Sequence, residues 1–135
     1  MNKVTSVFIS YTTEANDRAQ QIKNYLRKYQ VDAFTFETDL EVLKHPGKGI
    51  RAEIFNSSIF ILVLSKKSKE SNWVSFELGV ATGLQKSIYI FKTAAKLTLP
   101  DFISEYNSNV VNKVEDLKSE FGLKKIDKRM KKNVL

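Results

Sequence analysis

Residues 59–64 read IFILVL, six consecutive apolar side chains with β-branched and aromatic residues among them. A run of this length and composition predicts a strand that is buried on both faces, as in the middle of a parallel sheet. It is the longest apolar run in the chain, and it is far shorter than the roughly 20 residues that a membrane-spanning helix needs. We therefore expect a protein built around this central strand, with no membrane partner.

Apolar runs with strand-forming residues also occur on both sides of the central strand. They are 6–11 (SVFISY), 31–36 (VDAFTF), 87–91 (SIYIF) and the short pair 110–111. Segments whose apolar residues recur at three and four positions predict helices between these strands. The predicted helices are 14–28, a segment that follows Gly49 and ends near Ser57, 72–84, a short helix within 97–106, and 113–121.

Strands and helices alternate along the chain, which implies right-handed crossovers between neighbouring parallel strands. The expected fold is α/β, an open, flavodoxin-like, doubly wound parallel sheet of five strands. The chain divides into one domain, residues 1–123, and a basic C-terminal tail, residues 124–135. The longest irregular segment, residues 37–48 (ETDLEVLKHPGK), connects the second strand to the second helix.

The composition removes several classes of enzyme. With no cysteine, the chain has no disulfide, no thiol nucleophile and no cysteine-based zinc site. The single histidine, His45, cannot by itself form a histidine-rich metal site or complete an ordinary Ser-His-Asp triad. We therefore expect neither a metal nor a bound cofactor.

The formal net charge is +7, but it is unevenly distributed. Residues 124–132 (KKIDKRMKK) hold six of the 22 basic residues and one of the 15 acidic residues, so the rest of the chain is nearly neutral. No aromatic residue is interleaved with this basic segment, as stacking on single-stranded nucleic acid requires. We expect a solvated tail and no nucleic-acid partner. The polar N-terminus does not resemble a signal peptide, which favours a cytoplasmic protein.

Residues 72–84 (NWVSFELGVATGL) predict a helix with a carboxylate on its apolar side, and Asn72 is the expected N-cap. Glu77 falls roughly opposite the solvent face. The expected solvent face is Ser75, Gly79, Thr82 and Lys86, and the expected neighbours of Glu77 are Trp73, Val80, Ala81 and Leu84. A buried carboxylate must be paired, be protonated or face a polar cavity. Two interpretations stay open: a structural carboxylate bonded to a lysine or to the backbone, and a catalytic carboxylate.

The topology adds an argument for the catalytic interpretation. In open parallel sheets, ligands bind beyond the carboxyl ends of the strands, at the switch in strand order. Residues 11–16, 37–48 and 65–73 are expected there, and the last of these segments leads into Glu77. The glycine-rich fingerprints of dinucleotide-binding and P-loop proteins are missing from the corresponding positions. This edge of the sheet is therefore the expected ligand site, and the ligand is expected to be held without a glycine-rich loop.

Several motifs together resemble the TIR (Toll/interleukin-1 receptor) domain, particularly the stand-alone bacterial kind. They are VFISY at 7–11, the Gly-Lys-Gly that closes the long loop at 47–49, IFILVLSKKSKESNW at 59–73, and WxxxE from Trp73 to Glu77. The resemblance covers about residues 4–91. WxxxE is its most specific element. Alone it is a weak signal, but in order with the other motifs, at a suitable spacing and in the same fold, it is a strong one.

The resemblance implies an enzyme that breaks the bond between nicotinamide and ribose in NAD⁺. Nicotinamide in NAD⁺ is already a cationic leaving group, so the enzyme has to position the dinucleotide and stabilise positive charge developing on the ribose. By this analogy, Glu77 is the catalytic carboxylate and Trp73 shapes the pocket around the nicotinamide-ribose end. Such a reaction needs no metal, thiol or histidine.

The resemblance also assigns residues to the binding of NAD⁺. Tyr11 and Thr12 lie where members of the family contact the substrate after the first strand. Asp39 lies in the long loop, which is known in this family as the BB loop. Family NADases often have a basic residue after the first strand, where this chain has threonines. Lys48 or Arg51 is expected to contact the phosphates instead.

The resemblance extends to the product and the partners. The chain is similar to the signal-producing TIR component of the Thoeris anti-phage system, which implies a cyclic ADP-ribose product, a separate effector protein that senses it, and self-association through TIR-TIR contacts. Water in place of the cyclising group would give linear ADP-ribose. Two alternatives stay open: a non-enzymatic TIR adaptor acting through the BB loop, and an enzyme similar to nucleoside deoxyribosyltransferases.

Overall fold

A computed structural model of the chain describes residues 4, 6–35, 46–68, 71–99, 101 and 109–124. The strands found there are β1 (Ser6–Ser10), β2 (Asp32–Thr35), β3 (Ile59–Leu64), β4 (Ser87–Lys92) and β5 (Val110–Val111). The α-helices are α1 (Asn16–Arg27), α2 (Pro46–Asn56), α3 (Asn72–Gly83) and α4 (Asp116–Glu120), and a 3₁₀ turn, Thr13–Ala15, precedes α1. Each predicted strand is present, with bounds close to those expected.

Neighbouring strands are all parallel, and their order across the sheet is β2-β1-β3-β4-β5. β1 lies between β2 and β3, with Val7 opposite Ala33 on one side and opposite Ile59 on the other. The chain moves outward in one direction from β1 to β2 and in the other direction from β3 to β5, so the strand order switches between β1 and β3. The expected flavodoxin-like α/β sheet is confirmed.

Alternate residues of the central strands face two separate layers of the core. On one face, Val7 and Ile9 of β1 pack with the buried side of α1 and with Leu117 of α4. On the other face, the rings of Phe8 and Phe60 are stacked with their centroids 5.6 Å apart. Buried residues of α2 and α3 complete that second layer: Ile50, Ile54, Val74, Leu78 and Ala81. Helices therefore cover both faces, which explains why every residue of β3 is buried.

The helices begin at residues other than those predicted. Two of them, α1 and α4, begin two and three residues late, at Asn16 and Asp116. α3 is capped by Ser71, whose Oγ accepts a hydrogen bond from the Val74 backbone N–H at 3.1 Å, so the assignment of Asn72 as the N-cap is wrong. Asn72 is instead the first helical residue. α2 begins at Pro46, inside the segment expected to be irregular, because the fixed φ of proline suits the first turn of a helix.

Two apolar residues lie outside the core where the helical periodicity places them inside. Phe55, expected with Ile50 and Ile54 on the apolar side of α2, is 63% exposed. Its ring instead lies 5.4 Å from the Lys86 Nζ, which also donates a hydrogen bond to the Phe55 carbonyl. Leu84, expected beside Glu77, is 38% exposed because α3 ends there and Leu84 forms its C-cap.

Several predictions fall outside the described residues. These are Asp39 with most of the segment 37–48, most of the short helix within 97–106, and the basic tail beyond Lys124. Among the helices of the described ranges, none combines the length and the apolar character that crossing a bilayer requires.

Two phenylalanines give a test of the assigned core. Phe60 is fully buried, whereas Phe55 is 63% exposed. We expect Phe60→Ala to lower the free energy of unfolding by about 3–5 kcal/mol, because burial is lost and a cavity remains. We expect Phe55→Ala to change it by less than about 1 kcal/mol, as exposed substitutions usually do. Urea unfolding followed by circular dichroism measures both values, and equal losses in the two variants would contradict this core.

Candidate functional site

The carboxyl ends of β1 and β3 bring polar side chains to one edge of the sheet. After β3, the Ser68 hydroxyl donates a hydrogen bond to the Ser65 carbonyl at 2.8 Å and accepts one from the Ser65 backbone N–H at 2.9 Å. Local bonds between a serine side chain and the backbone stabilise turns in place of regular structure. This turn leads to the cap residue Ser71, and it therefore sets where α3 begins and where Glu77 lies.

Glu77 is buried where α3 packs against the sheet, which confirms its predicted position on the apolar side of the helix. The Ser10 hydroxyl donates a hydrogen bond to Glu77 Oε1 at 2.8 Å, and both side chains are 0% exposed. The other carboxyl oxygen, Oε2, is buried and has no hydrogen-bond partner among the described residues. The described residues therefore hold one oxygen of the carboxyl and leave the other without a hydrogen bond.

The surroundings of Glu77 favour its neutral form. Burial raises the pKa of Glu77 from its ordinary value of 4.5 to about 8, and the hydrogen bond from Ser10 lowers it only in part. At neutral pH the carboxyl is therefore mostly protonated in this structure. The partner is a serine hydroxyl, whereas the structural interpretation of the sequence expects a lysine or a backbone group.

A second carboxyl, Glu14, lies at the same edge in surroundings of opposite character. Ser65 donates a hydrogen bond to Glu14 Oε1 at 2.6 Å, Thr12 donates to the same oxygen, and the Thr12 and Ser65 hydroxyl oxygens are 3.1 Å apart. Loss of hydration acts to raise the pKa of Glu14, but these two hydrogen bonds and the charge of Lys67 lower it on balance. The edge thus holds one ionised carboxylate and one neutral carboxyl.

A cavity of about 520 Å³ opens beside Glu14 at the carboxyl edge. The Arg18 guanidinium, which lines it, lies 6.0 Å from the centroid of the Phe91 ring. The other charged residues of the lining are Lys66, Lys96, Glu14 and Asp17. The lining thus has three basic side chains and two acidic ones. One of the acids, Glu14, already accepts hydrogen bonds from hydroxyl groups.

Another cavity, of about 430 Å³, lies at the opposite edge of the sheet, where Lys23 and Arg27 contribute to its lining. Glu77 lines neither cavity. A ligand can reach its carboxyl only when part of what covers it has moved. Within the described part of the chain, no group of three or more His, Cys, Asp or Glu residues is placed to hold a metal ion.

Two of the residues expected to bind substrate have described side chains next to the end of β1. Thr12 lies at the edge, in the hydrogen-bonded cluster with Ser65 and Glu14. Tyr11 is 7% exposed and belongs to the core layer on the α1 face, whereas the residues that adjoin Glu77 along α3 belong to the other layer. The structure therefore brings Thr12, but not Tyr11, into the polar cluster.

The other predicted site residues are described less fully. Lys48 and Trp73 lie in the first turns of α2 and α3, and their side chains fall outside the described part of the structure, as does all of Asp39. Arg51 is an exposed residue of α2.

The sequence prediction places the segments that contain Glu14 and Ser65 at this edge, but it names neither of these residues, nor Ser10, as a site residue. A signal for Ser10 exists, because alternation along β1 places it on the same face as Phe8, where a polar residue interrupts an apolar layer. Glu14 and Ser65 carry no comparable signal, since each lies in a polar segment in which ordinary surface residues have the same character.

A model of the TIR domain family matches residues 7–113 of the chain. The TIR domain of the Toll-related receptor TRR-2 from Hydra magnipapillata is structurally similar, with 21% sequence identity, a TM-score of 0.64, and coverage of 85% of this chain and 90% of that domain. No curated protein sequence matches the chain significantly.

Two enzymes also share the fold. The CMP N-glycosidase BcmB from Clostridium botulinum has 17% identity and a TM-score of 0.60, with coverage of 88% of this chain and 100% of that one. A 2-desoxiribosyltransferase from Leishmania mexicana has 14% identity and a TM-score of 0.55, with coverage of 76% and 71%. At such identities, the likeness shows a common fold.

The buried carboxyl makes stability depend on pH in a predictable direction. Below pH 4.5 both the folded and the unfolded chain hold the Glu77 proton; as the pH rises toward 8, the unfolded chain releases it and the folded chain retains it, so stability falls. At about 1.4 kcal/mol per pH unit, the wild type loses roughly 3 kcal/mol relative to Glu77→Gln between pH 4.5 and 7.

Denaturant unfolding of both proteins across this pH range measures the effect. Glu120→Gln, which removes an exposed carboxyl, controls for the change in net charge. Parallel stability curves for the wild type and Glu77→Gln would contradict the raised pKa.

Proposed function

The chain belongs to the TIR domain family, whose model matches residues 7–113 of the 135, and we propose that it cleaves NAD⁺ at the bond between nicotinamide and ribose. One observation carries this proposal: the buried carboxyl of Glu77, with Oε1 held by Ser10 and Oε2 without a partner among the described residues. A buried polar atom of this kind costs stability and is expected at functional sites more than elsewhere.

In the proposed reaction, Glu77 stabilises the positive charge that develops on the ribose. The bond between ribose C1′ and the nicotinamide nitrogen breaks, and its electron pair stays with nicotinamide, which leaves as a neutral molecule. Glu77 Oε2 faces the oxocarbenium-like carbon that results. Addition of water to this carbon gives ADP-ribose and a proton, whereas addition of an adenine nitrogen gives a cyclic isomer.

The carboxyl must be ionised for this role, although its pKa is about 8 in the structure described. NAD⁺ brings a pyridinium charge, and a positive charge beside a carboxyl lowers its pKa. Substrate binding therefore shifts Glu77 toward the carboxylate, and the proton passes to water. The low-dielectric surroundings that keep the free carboxyl neutral also strengthen its attraction for the ribosyl cation.

The reaction needs a state in which the covering of Glu77 has moved, because its side chain is 0% exposed. TIR domains associate with one another, and we assign the stabilisation of this open state to contacts between copies of the chain. The residues that the resemblance assigns to NAD⁺ remain part of the proposal: Tyr11, Thr12, Asp39, Lys48 and Trp73, with Arg51 as the alternative phosphate contact.

The cation-lined cavity beside Glu14 is suited to the pyrophosphate of NAD⁺. Arg18, Lys66 and Lys96 surround it, and it lies at the carboxyl edge of the sheet, where ligands of this fold bind. An arginine can donate two parallel hydrogen bonds to a phosphate group. In this arrangement Arg18 is a further candidate, beside Lys48 and Arg51, for the role of the basic residue that family NADases carry after the first strand.

We extend the proposal to a role in anti-phage defence, on the basis of the resemblance to bacterial TIR proteins. The product would be a cyclic ADP-ribose signal that a separate effector protein senses, as in the Thoeris system. The support for this finer proposal is the order and spacing of the motifs from VFISY to WxxxE.

Two other functions have an observation in their favour. The complete burial of Glu77 favours a TIR adaptor without enzymatic activity. The shared fold of the CMP N-glycosidase and the 2-desoxiribosyltransferase shows that N-glycosidic chemistry occurs on this scaffold, which keeps a deoxyribosyltransferase-like activity as an alternative.

Incubation of the concentrated protein with NAD⁺ tests the proposed function. We expect release of nicotinamide together with cyclic ADP-ribose, identified by mass and chromatographic retention, and a loss of at least about 100-fold in kcat for Glu77→Gln, because an electrostatic contact to the transition state is removed. Glu120→Gln, at an exposed carboxyl, is the matched control.

Other results of this incubation would change the proposed function. No cleavage by the self-associated protein would leave the adaptor role, whereas equal rates for the wild type and Glu77→Gln would keep the cleavage and remove Glu77 as its catalytic group. Exchange of bases between deoxynucleosides with NAD⁺ untouched would establish the transferase. Linear ADP-ribose as the sole product would remove the cyclase activity and keep the cleavage.

The assignment of the pyrophosphate to the cavity beside Glu14 has its own test. We expect Arg18→Ala to raise KM for NAD⁺ by about 10-fold or more, since a charge-assisted hydrogen bond to phosphate contributes roughly 1.5–3 kcal/mol. Arg27→Ala is the control, because Arg27 lines the cavity at the opposite edge. An unchanged KM in Arg18→Ala would place the phosphates elsewhere.

A further inference from the structure

We propose that Ser10 is a positioning residue for Glu77: its hydroxyl holds Oε1 and so assigns Oε2 as the oxygen that meets the ribosyl cation. The inference rests on the proposed cleavage of NAD⁺. It adds Ser10 to the residues of the proposed site, and it gives the two carboxyl oxygens of Glu77 different roles.

The Ser10 hydroxyl is held in place by the centre of the sheet. Ser10 is the last residue of β1, its backbone is in register with Leu62 of β3, and the preceding Ile9 is in register with β2 on the other side. A serine side chain has a single heavy-atom torsion, so a fixed backbone leaves its oxygen few positions. The 2.8 Å distance to Glu77 Oε1 lies within the usual range for a bond between two oxygens.

A fixed donor is needed because the two oxygens of a carboxyl are otherwise equivalent. The last torsion of a glutamate side chain is broad and roughly two-fold, so a half turn exchanges Oε1 and Oε2 at little cost. A donor attached to the sheet removes this equivalence by holding one oxygen. Oε2, which is buried without a partner among the described residues, is then presented in a constant direction.

The same hydrogen bond favours the ionised form that the reaction needs. β1 and β3, which pack against α3, contain no titratable residue. On α2, which also contacts α3, Arg51 is exposed and Glu53 is half-buried, and neither contributes to the raised pKa of Glu77. Within the described part of the chain, the Ser10 hydroxyl is therefore the group that lowers the pKa of Glu77 against the effect of burial.

The test compares Ser10→Ala, which removes the donor, with Ser10→Thr, which keeps a hydroxyl. We expect Ser10→Ala to lower kcat for NAD⁺ cleavage by about 10-fold while KM changes by less than about 3-fold, as for an interaction made mainly in the transition state. Activity rises with pH as Glu77 ionises, so the rising limb of the pH profile should move to higher pH by about half a unit to one unit. Ser10→Thr should restore both quantities.

Ser57→Ala is the matched control for the loss of a buried serine hydroxyl. Ser57 is 6% exposed and donates a hydrogen bond of 2.7 Å to the Glu53 carbonyl at the opposite edge of the sheet. A role of Ser10 in stability alone predicts a lower unfolding midpoint with an unchanged pH profile. Should Ser10→Ala not fold, Ser10→Cys, whose thiol is a weaker donor, gives the same comparison.

The outcomes separate this inference from the function on which it rests. A folded Ser10→Ala protein with the wild-type kcat and pH profile, alongside an inactive Glu77→Gln, would overturn the role of Ser10 and keep the proposed function. Wild-type activity in Glu77→Gln would overturn the roles of both Glu77 and Ser10, whereas the absence of NAD⁺ cleavage by the wild type would remove the proposed function. An NMR titration of the ¹³C-labelled Glu77 carboxyl needs no activity: the pKa should be higher in Ser10→Ala, and an equal pKa in both proteins would overturn the positioning role.

Discussion

A single hydrogen bond in the interior, from the Ser10 hydroxyl to Glu77 Oε1, joins β1 to the helix that carries the proposed catalytic group. Each partner is placed by other features of the fold. The pairing of β1 with β2 and β3 fixes Ser10, while the serine turn after β3 and the Ser71 cap fix the start of α3 and hence the depth of Glu77. Because the bond is buried, its geometry depends on packing and not on solvent, and the carboxyl is oriented before any ligand arrives.

The carboxyl edge shows how surroundings give two acids of the same type different charges. Glu77 lies among apolar side chains and receives one hydrogen bond, so burial dominates and its pKa rises to about 8. Glu14 receives bonds from two hydroxyl groups and lies near a lysine, so its pKa falls. Pairs of acids with separated pKa values are typical of enzyme sites in which one group stays ionised and the other changes its state. In the proposed mechanism, the group that changes its state is Glu77, at the end of the WxxxE motif, and the positive charge of NAD⁺ drives the change.

Much of the fold follows from short apolar runs, because a strand covered on both faces needs continuous hydrophobic residues, as in IFILVL at 59–64. The burial of Glu77 also follows from helical periodicity. The burial that periodicity predicts is wrong for Phe55 and Leu84. Periodicity describes an isolated helix, so it does not show how much of the apolar side a neighbouring element covers or where the helix ends. The partner of Glu77 is not predictable for a related reason: Ser10 lies 67 positions away, and only the packing of α3 on β1 brings the two together. Ser71 displaces Asn72 as the cap because the preceding serine turn, a local feature of the loop, decides the first helical residue.

The all-parallel sheet has a consequence for how the chain reaches its folded state. Parallel neighbours cannot form a hairpin, so each pair waits for the crossover between its strands, and such non-local contacts slow folding relative to helical bundles or hairpin-rich domains. β1 leaves the ribosome first but stays without β3 until residue 64 has followed, and α3 comes later still. During that interval its apolar residues are open to pairing with strands of other chains. The interval in which an unpaired β1 favours aggregation therefore lasts at least until β3 has been synthesised.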